Sequence, residues 1–168
     1  MFRNRTSSLV VLVTLLGWIL ALPVAAACYE VEGTVGVWYD TNDLLANYGI
    51  VNGTPLFGVV QFDPETAVGS VELAAGVATI SADTQVASIN DTLYLYSFAW
   101  SFPEPLSFSY GDVRFEGPSG WMGGEKIPAS LEGANLSWGY FSFSAGAGNS
   151  EFWIHLTQWD ESTVCGSP

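Results

Sequence analysis

The chain has 168 residues, a formal net charge of −13 and an aromatic content of 14%. A polyanion of this strength is repelled by nucleic acid and by anionic lipid headgroups, which removes both as partners. The aromatic mass separates it from disordered acidic chains, which lack the apolar surface to build a core.

Residues 1–27 read as a secretory signal peptide. Arg3 and Arg5 make a basic start, residues 9–22 are apolar apart from Thr14 and Gly17, and Val24-Ala25-Ala26-Ala27 supplies small residues for cleavage after Ala27. The apolar run is short for a membrane span, and no second run is long enough to make one. Residues 28–168 then suit a single domain. All 17 acidic residues fall in it against Arg114 and Lys126, a charge of −15. Cys28 would open this mature chain, and it has two readings. It pairs with Cys165 in an oxidising compartment, or it carries the lipid of a bacterial lipoprotein. A lipoprotein signal has Leu three residues before its cysteine, where this chain has Ala25, so the disulfide is preferred.

From there period-two patterning dominates, as strands require. Residues 30–39 alternate, with Val31, Gly33, Val35, Val37 and Tyr39 opposing Glu32, Thr34, Gly36 and Trp38. Asp40-Thr41-Asn42-Asp43 is turn chemistry, and Asn52-Gly53 marks a second turn. Residues 55–62 form the next strand, closed by Asp63-Pro64. Residues 66–89 are rich in Ala, Val, Gly, Ser and Thr, and predict weak or edge strands. Asn90-Asp91 turns into the most aromatic stretch, TLYLYSFAWSFPEPLSFSY at residues 92–110. Strand alternation puts Tyr94, Tyr96, Phe98 and Trp100 on one face, and Leu93, Leu95, Ser97 and Ala99 on the other. The break at Pro103-Glu104-Pro105 makes the stretch a hairpin. Residues 112–115 predict a short strand after Gly111. In residues 136–144 the aromatic phase slips from Leu136, Trp138 and Tyr140 to Phe141 and Phe143, predicting a bulge near Gly139. Residues 151–159 form the last strand, with Phe152, Ile154 and Leu156 opposing Trp153, His155, Thr157 and Trp159.

Many short strands with Gly, Pro and Asn turns predict an all-β single domain, an antiparallel β-sandwich or jelly roll. An early Gly33-Thr34-Val35 strand, the Gly53-Thr54-Pro55 turn and the FGVVQFD strand at residues 57–63 follow the signal peptide in that order. A segment at residues 112–131 then leads into an aromatic C-terminal hairpin. In this order the chain resembles small exported bacterial β-sandwich proteins of unknown function, of the PEP-CTERM-associated type. It ends ESTVCGSP, without their apolar anchor and basic tail. The resemblance implies a β-sandwich, and carries neither an activity nor a catalytic residue onto this chain.

Candidate chemistry is sparse. His155 is the sole histidine, no G-x-S-x-G elbow is present, and a zinc set lacks a second histidine. Glu104 and Glu151 are the carboxylates best placed for hydrolysis, and both also read as solvated surface charge. Asp40, Asn42 and Asp43 cluster hard oxygen donors as a candidate calcium site, though without EF-hand spacing, and an Asx turn explains them equally. The aromatics remain. Four rings on the Tyr94–Trp100 face are costly to leave in water, so that face is read as core. Trp153, His155 and Trp159 form a candidate ligand-binding face. These features predict a non-catalytic exported protein with a structural or interaction role at the cell envelope or outside the cell. The alternatives are a carbohydrate-binding module using surface aromatics and, more remotely, a secreted hydrolase. Partners would be a glycan or an envelope protein.

Overall fold

The computed structural model describes residues 26–103, 107–123, 126–145 and 148–163. Most of the expected signal peptide, Glu104 and Cys165 lie outside the described residues. The strands are β1 (Ala27–Asp40), β2 (Pro55–Asp63), β3 (Val68–Ala75), β4 (Ala78–Ile89), β5 (Thr92–Ser97), β6 (Ser107–Glu116), β7 (Leu136–Ala145) and β8 (Gly148–Glu161). Each pairs antiparallel with its sequence neighbours, and β1 also pairs with β8, closing an up-and-down barrel. The all-β expectation holds. The sandwich or jelly roll expected from strand spacing and from the family resemblance is replaced by a barrel.

Short turns account for the order. Asn90 and Asp91 both take positive φ, 50° and 60°, as a two-residue type I′ hairpin turn demands. Gly76, at φ 59°, and Val77 join β3 to β4. At the end of β2, one Asp63 carboxylate oxygen accepts the Glu65 and Thr66 N–H groups at 2.8 and 3.3 Å, fixing the turn into β3. Turns this tight leave β3, β4 and β5 each beside its predecessor. A Greek key would need a long return connection. Residues 66–89, expected as weak or edge strands, form β3 and the twelve-residue β4, and closure leaves neither with an open edge.

The interior is packed with rings. Phe62, Phe115, Phe141, Phe143 and Phe152 are fully buried with Leu56, Leu73, Ile80, Leu93 and Leu95. Phe141 stacks on Phe152 at 4.8 Å, and Phe143 stacks with Phe102 at 5.7 Å. Outward positions on β1 to β4 carry Glu30, Glu32, Glu72, Asp83 and Gln85. Exposed Phe57, Val68 and Ile89 sit among these polar positions. Both ends are stopped. At one, Tyr48 meets Phe102 edge-on at 5.3 Å and its hydroxyl donates to the Pro103 carbonyl at 3.3 Å. At the other, Met122 and Leu131 are buried, and the Leu131 N–H donates to the Tyr29 hydroxyl at 2.7 Å.

Of the Tyr94–Trp100 stripe only Trp100 is core. Leu93, Leu95 and Ser97 point inward, Tyr94 and Tyr96 lie on the outer surface, and Phe98 is 70% exposed. The alternation then breaks, because β5 ends at Ser97. Ser101 resumes the pairing with Ser81 of β4, and Trp100 turns inward between them. Its indole N–H donates to the Ser97 and Gly111 carbonyls at 3.1 and 3.0 Å, and its ring meets Phe141 edge-on at 4.9 Å. The expected bulge at Gly139 is also absent: β7 pairs with β8 without a register shift from Ser137 to Ala145. The apparent phase slip arises because β7 carries aromatics on both faces, Phe141 and Phe143 inward and Trp138 and Tyr140 outward. The irregularity opposite β7 lies instead in β6, between Phe108 and Tyr110.

Inside and outside are therefore distinguishable by stability. Phe141→Ala is expected to lower the unfolding free energy by about 3–5 kcal/mol, and Phe98→Ala to change it by no more than about 0.5 kcal/mol. Urea denaturation checks this, and equal losses at the two positions would contradict the assignment of the stripe.

Candidate functional site

Two irregularities in the β1–β8 ladder decide what the outer surface presents. The first lies between Glu32 and Gly33. Glu32 pairs with Gln158 and Gly33 with Leu156, so Thr157 is left over. The extra residue reverses the phase of β8. Trp159 pairs with Val31, turns toward the interior and meets Phe115 edge-on at 5.7 Å. Trp159 therefore leaves the face expected for it beside Trp153 and His155. Glycine is required at this point: a Cβ on Gly33 would stand 2.2 Å from the His155 carbonyl oxygen.

The second irregularity lies between Val37 and Tyr39, opposite Phe152 and Glu151. Trp38 is the surplus residue, and both Trp38 and Tyr39 emerge on the outer surface, 75% and 41% exposed. Simple alternation had put them on opposite faces. Beside them Trp153 of β8 lies flat on Gly36. A Cβ there would come within 2.1 Å of the indole carbons, so the missing side chain gives the ring its seat. Trp153 remains 44% exposed. His155 is exposed one step along the same face, across from Trp138 and Thr34.

A polar cluster borders these rings. The Tyr39 hydroxyl donates to Glu151 at 3.4 Å. Partial burial first, and the nearby Glu151 carboxylate after it, raise the Tyr140 pKa. Trp38, Tyr39, Tyr140, Glu151, Trp153 and His155 thus form one patch on β7, β8 and β1. Tyr39 and Tyr140 are the members that sequence reasoning missed. The adjacent pair Trp38-Tyr39, just before a turn, was the available signal for the bulge.

Next to the patch stands a rigid support. Asp112 projects outward from β6 yet is 0% exposed. Arg114 bonds it twice, Nε to Oδ1 and Nη2 to Oδ2, both at 2.8 Å, and the Tyr110 hydroxyl donates to Oδ2. The guanidinium carbon sits 3.9 Å over the Trp138 ring and 5.0 Å over Tyr94. Trp138 is itself fixed by its N–H donating to Glu116 at 2.8 Å. Rings, guanidinium and carboxylate hold one another, so β5, β6 and β7 present a fixed surface.

The candidate calcium ligands are placed differently from a cation cage. Both Asp40 carboxylate oxygens accept the Leu45 N–H at 2.9 Å, Oδ2 accepts the Ala46 N–H at 3.1 Å, and the Ser150 hydroxyl donates to Oδ1 at 2.7 Å. Asp40 thereby pins the turn that follows β1. Asn42 and Asp43 are exposed at positive φ. Among the described residues, no three His, Cys, Asp or Glu side chains are grouped to hold a metal. His155 stands on an open convex surface and not in a cleft.

The patch can stack flat apolar faces on Trp153 and Trp38, and can exchange hydrogen bonds through Glu151 and the two tyrosine hydroxyls. No protein-family model matches the chain, and no curated protein matches it.

Burial, followed by the hydrogen bond to Asp112 and the Asp112 charge, pushes Tyr110 up to about 12. An unfolded tyrosine ionises near pH 10, so between about 10 and 12 the folded chain keeps a proton that the unfolded chain has lost. The stability from this site is complete below about pH 10 and drains away as the pH rises toward 12. Absorbance titration at the phenolate band should show one tyrosine fewer in the latest step for Tyr110→Phe. An unchanged late step would remove Tyr110 from the cluster.

Proposed function

We propose that this is an exported, non-catalytic β-barrel protein that acts by binding a glycan through the Trp153 patch. One observation carries the reading: Trp153 and Trp38, on the paired strands β8 and β1, are both open to solvent on a closed, packed barrel, although burial of a large apolar ring is favourable by roughly 2–3 kcal/mol. Rings left exposed in this way, rimmed by a carboxylate and hydroxyls, have the composition of a surface kept for recognition. The outer surface of β3 and β4 carries Ser70, Glu72, Ser81 and Asp83 in place of rings. His155 supports a binding role over hydrolysis, because its strand partners among the described residues are Trp138 and Thr34, neither of them an acid.

Native affinity electrophoresis through gels containing soluble polysaccharides tests the reading. At least one glycan should retard the protein, and Trp153→Ala should abolish the retardation while the variant keeps its thermal midpoint. Retardation unaffected by Trp153→Ala, or none with any glycan, would overturn it.

Export also fits the cysteines. Cys28 is a buried strand residue, 6% exposed and paired with Gln61, a poor position for a lipid anchor. The Ser162 N–H donates to the Cys28 carbonyl at 2.9 Å, bringing the chain to Cys28 three residues before Cys165. A Cys28–Cys165 bridge would fasten β1 to the end of β8, across the seam that closes the barrel. Thiol titration of the denatured exported protein should find no free thiol before reduction and two after it. Two free thiols at the outset, or a lipid mass on Cys28, would contradict the bridge.

A further inference from the structure

Resting on the glycan reading, we infer that the patch takes an internal segment of an uncharged polysaccharide chain, with neither a chain end nor an acidic glycan as its ligand. The first argument is spacing. Trp153 sits over Gly36, and Trp38 lies two residues further along the same strand face. Strand geometry puts the two tryptophan backbones roughly 8 Å apart. With the Trp153 indole seated over Gly36 and Trp38 two residues further along β1, the two indoles then address different rings of one chain.

The second argument is shape. The patch lies on the outer surface of a closed barrel. Gly36 contributes no side chain, and the indoles are 44% and 75% exposed. A chain can enter and leave the line joining the two rings in both directions. Recognition of a chain end needs a wall against which the terminal ring stops.

The third argument is charge. Among the described residues Arg114 is the only Lys or Arg carried by a strand. Its guanidinium is held by Asp112 at 2.8 Å and lies between Tyr94 and Trp138, so it is not offered to a ligand. Glu151 is the charge that meets a sugar stacked on Trp153, and the whole chain carries −13. A uronate or sulfate there would face a carboxylate without a cation to answer it.

The test takes the neutral polysaccharide that retards the protein and measures titration calorimetry with its oligomers, from disaccharide to octasaccharide, with polygalacturonate as the acidic probe. Affinity should rise by at least about tenfold between disaccharide and hexasaccharide, equivalent to 1.4 kcal/mol, and then level off. Polygalacturonate should give no heat. Trp38→Ala should erase the gain with length, bringing the hexasaccharide and disaccharide affinities within about twofold of each other. Saturation at the disaccharide, equal binding of polygalacturonate, or a Trp38→Ala variant with the full gain would each overturn this inference while the glycan reading stands. Failure of every neutral and acidic glycan to bind would overturn both.

Discussion

The ladder between β1 and β8 is the constraint on which the molecule turns. Without it the chain would be an open eight-strand meander with two long exposed edges. With it, the first and last strands hold each other over almost their full lengths, from Tyr29–Glu161 to Asp40–Ser150. The same ladder sets the outer surface. One register shift, seated at Gly33, turns Trp159 into the interior. The other, at Trp38, turns two consecutive aromatics out beside Trp153. Barrel closure and the exposure of the candidate site are two results of one pairing.

The ring-rich composition serves two populations, and the division explains how much could be read from the residues alone. The strands of β1, β2 and β8, and the inward set Phe152, Ile154 and Leu156, followed from period two. What alternation cannot supply is which face is inside, when both faces carry rings. In β5 the leucines at 93 and 95 are inside and the tyrosines at 94 and 96 outside, the reverse of an argument from ring size. Leu93 and Leu95 have no polar tip to satisfy, whereas a buried tyrosine must find a partner for its hydroxyl. In β7 the same ambiguity imitated a bulge. The two bulges of the β1–β8 ladder depend on a partner strand more than a hundred residues away, which local pattern does not contain, and only the adjacent pair Trp38-Tyr39 hinted at one of them.

Sandwich and barrel share the same strand signal, and what separates them is connection length and closure. The turns at Gly76-Val77 and Asn90-Asp91 leave no room for a strand to skip its neighbour. Closure needs long terminal strands, and β1 and β8 have fourteen residues each. The composition of β3 and β4 suggested edges because small residues weaken an isolated strand. In a closed barrel they are flanked on both sides, and small inward residues such as Ala75 and Ala78 leave room for the large rings contributed by β7 and β8.

The Asp112–Arg114 pair shows why the outer surface is rigid enough to recognise anything. A carboxylate with no exposure is unfavourable unless its lone pairs are filled and its charge is answered. Here Arg114 answers the charge, Tyr110 completes the hydrogen bonding, and Trp138 and Tyr94 shield the guanidinium from water. Each member is held by at least one other, so none must be ordered when a ligand arrives. Stacking on a surface already immobilised loses little side-chain entropy, which matters most for a shallow site with few hydrogen bonds. The patch therefore has a fixed border on β6 and β7, and its Trp153 ring is seated on Gly36. On the glycan reading, its selectivity would come from the spacing of the two tryptophans and from the charge of Glu151, with no enclosing pocket required.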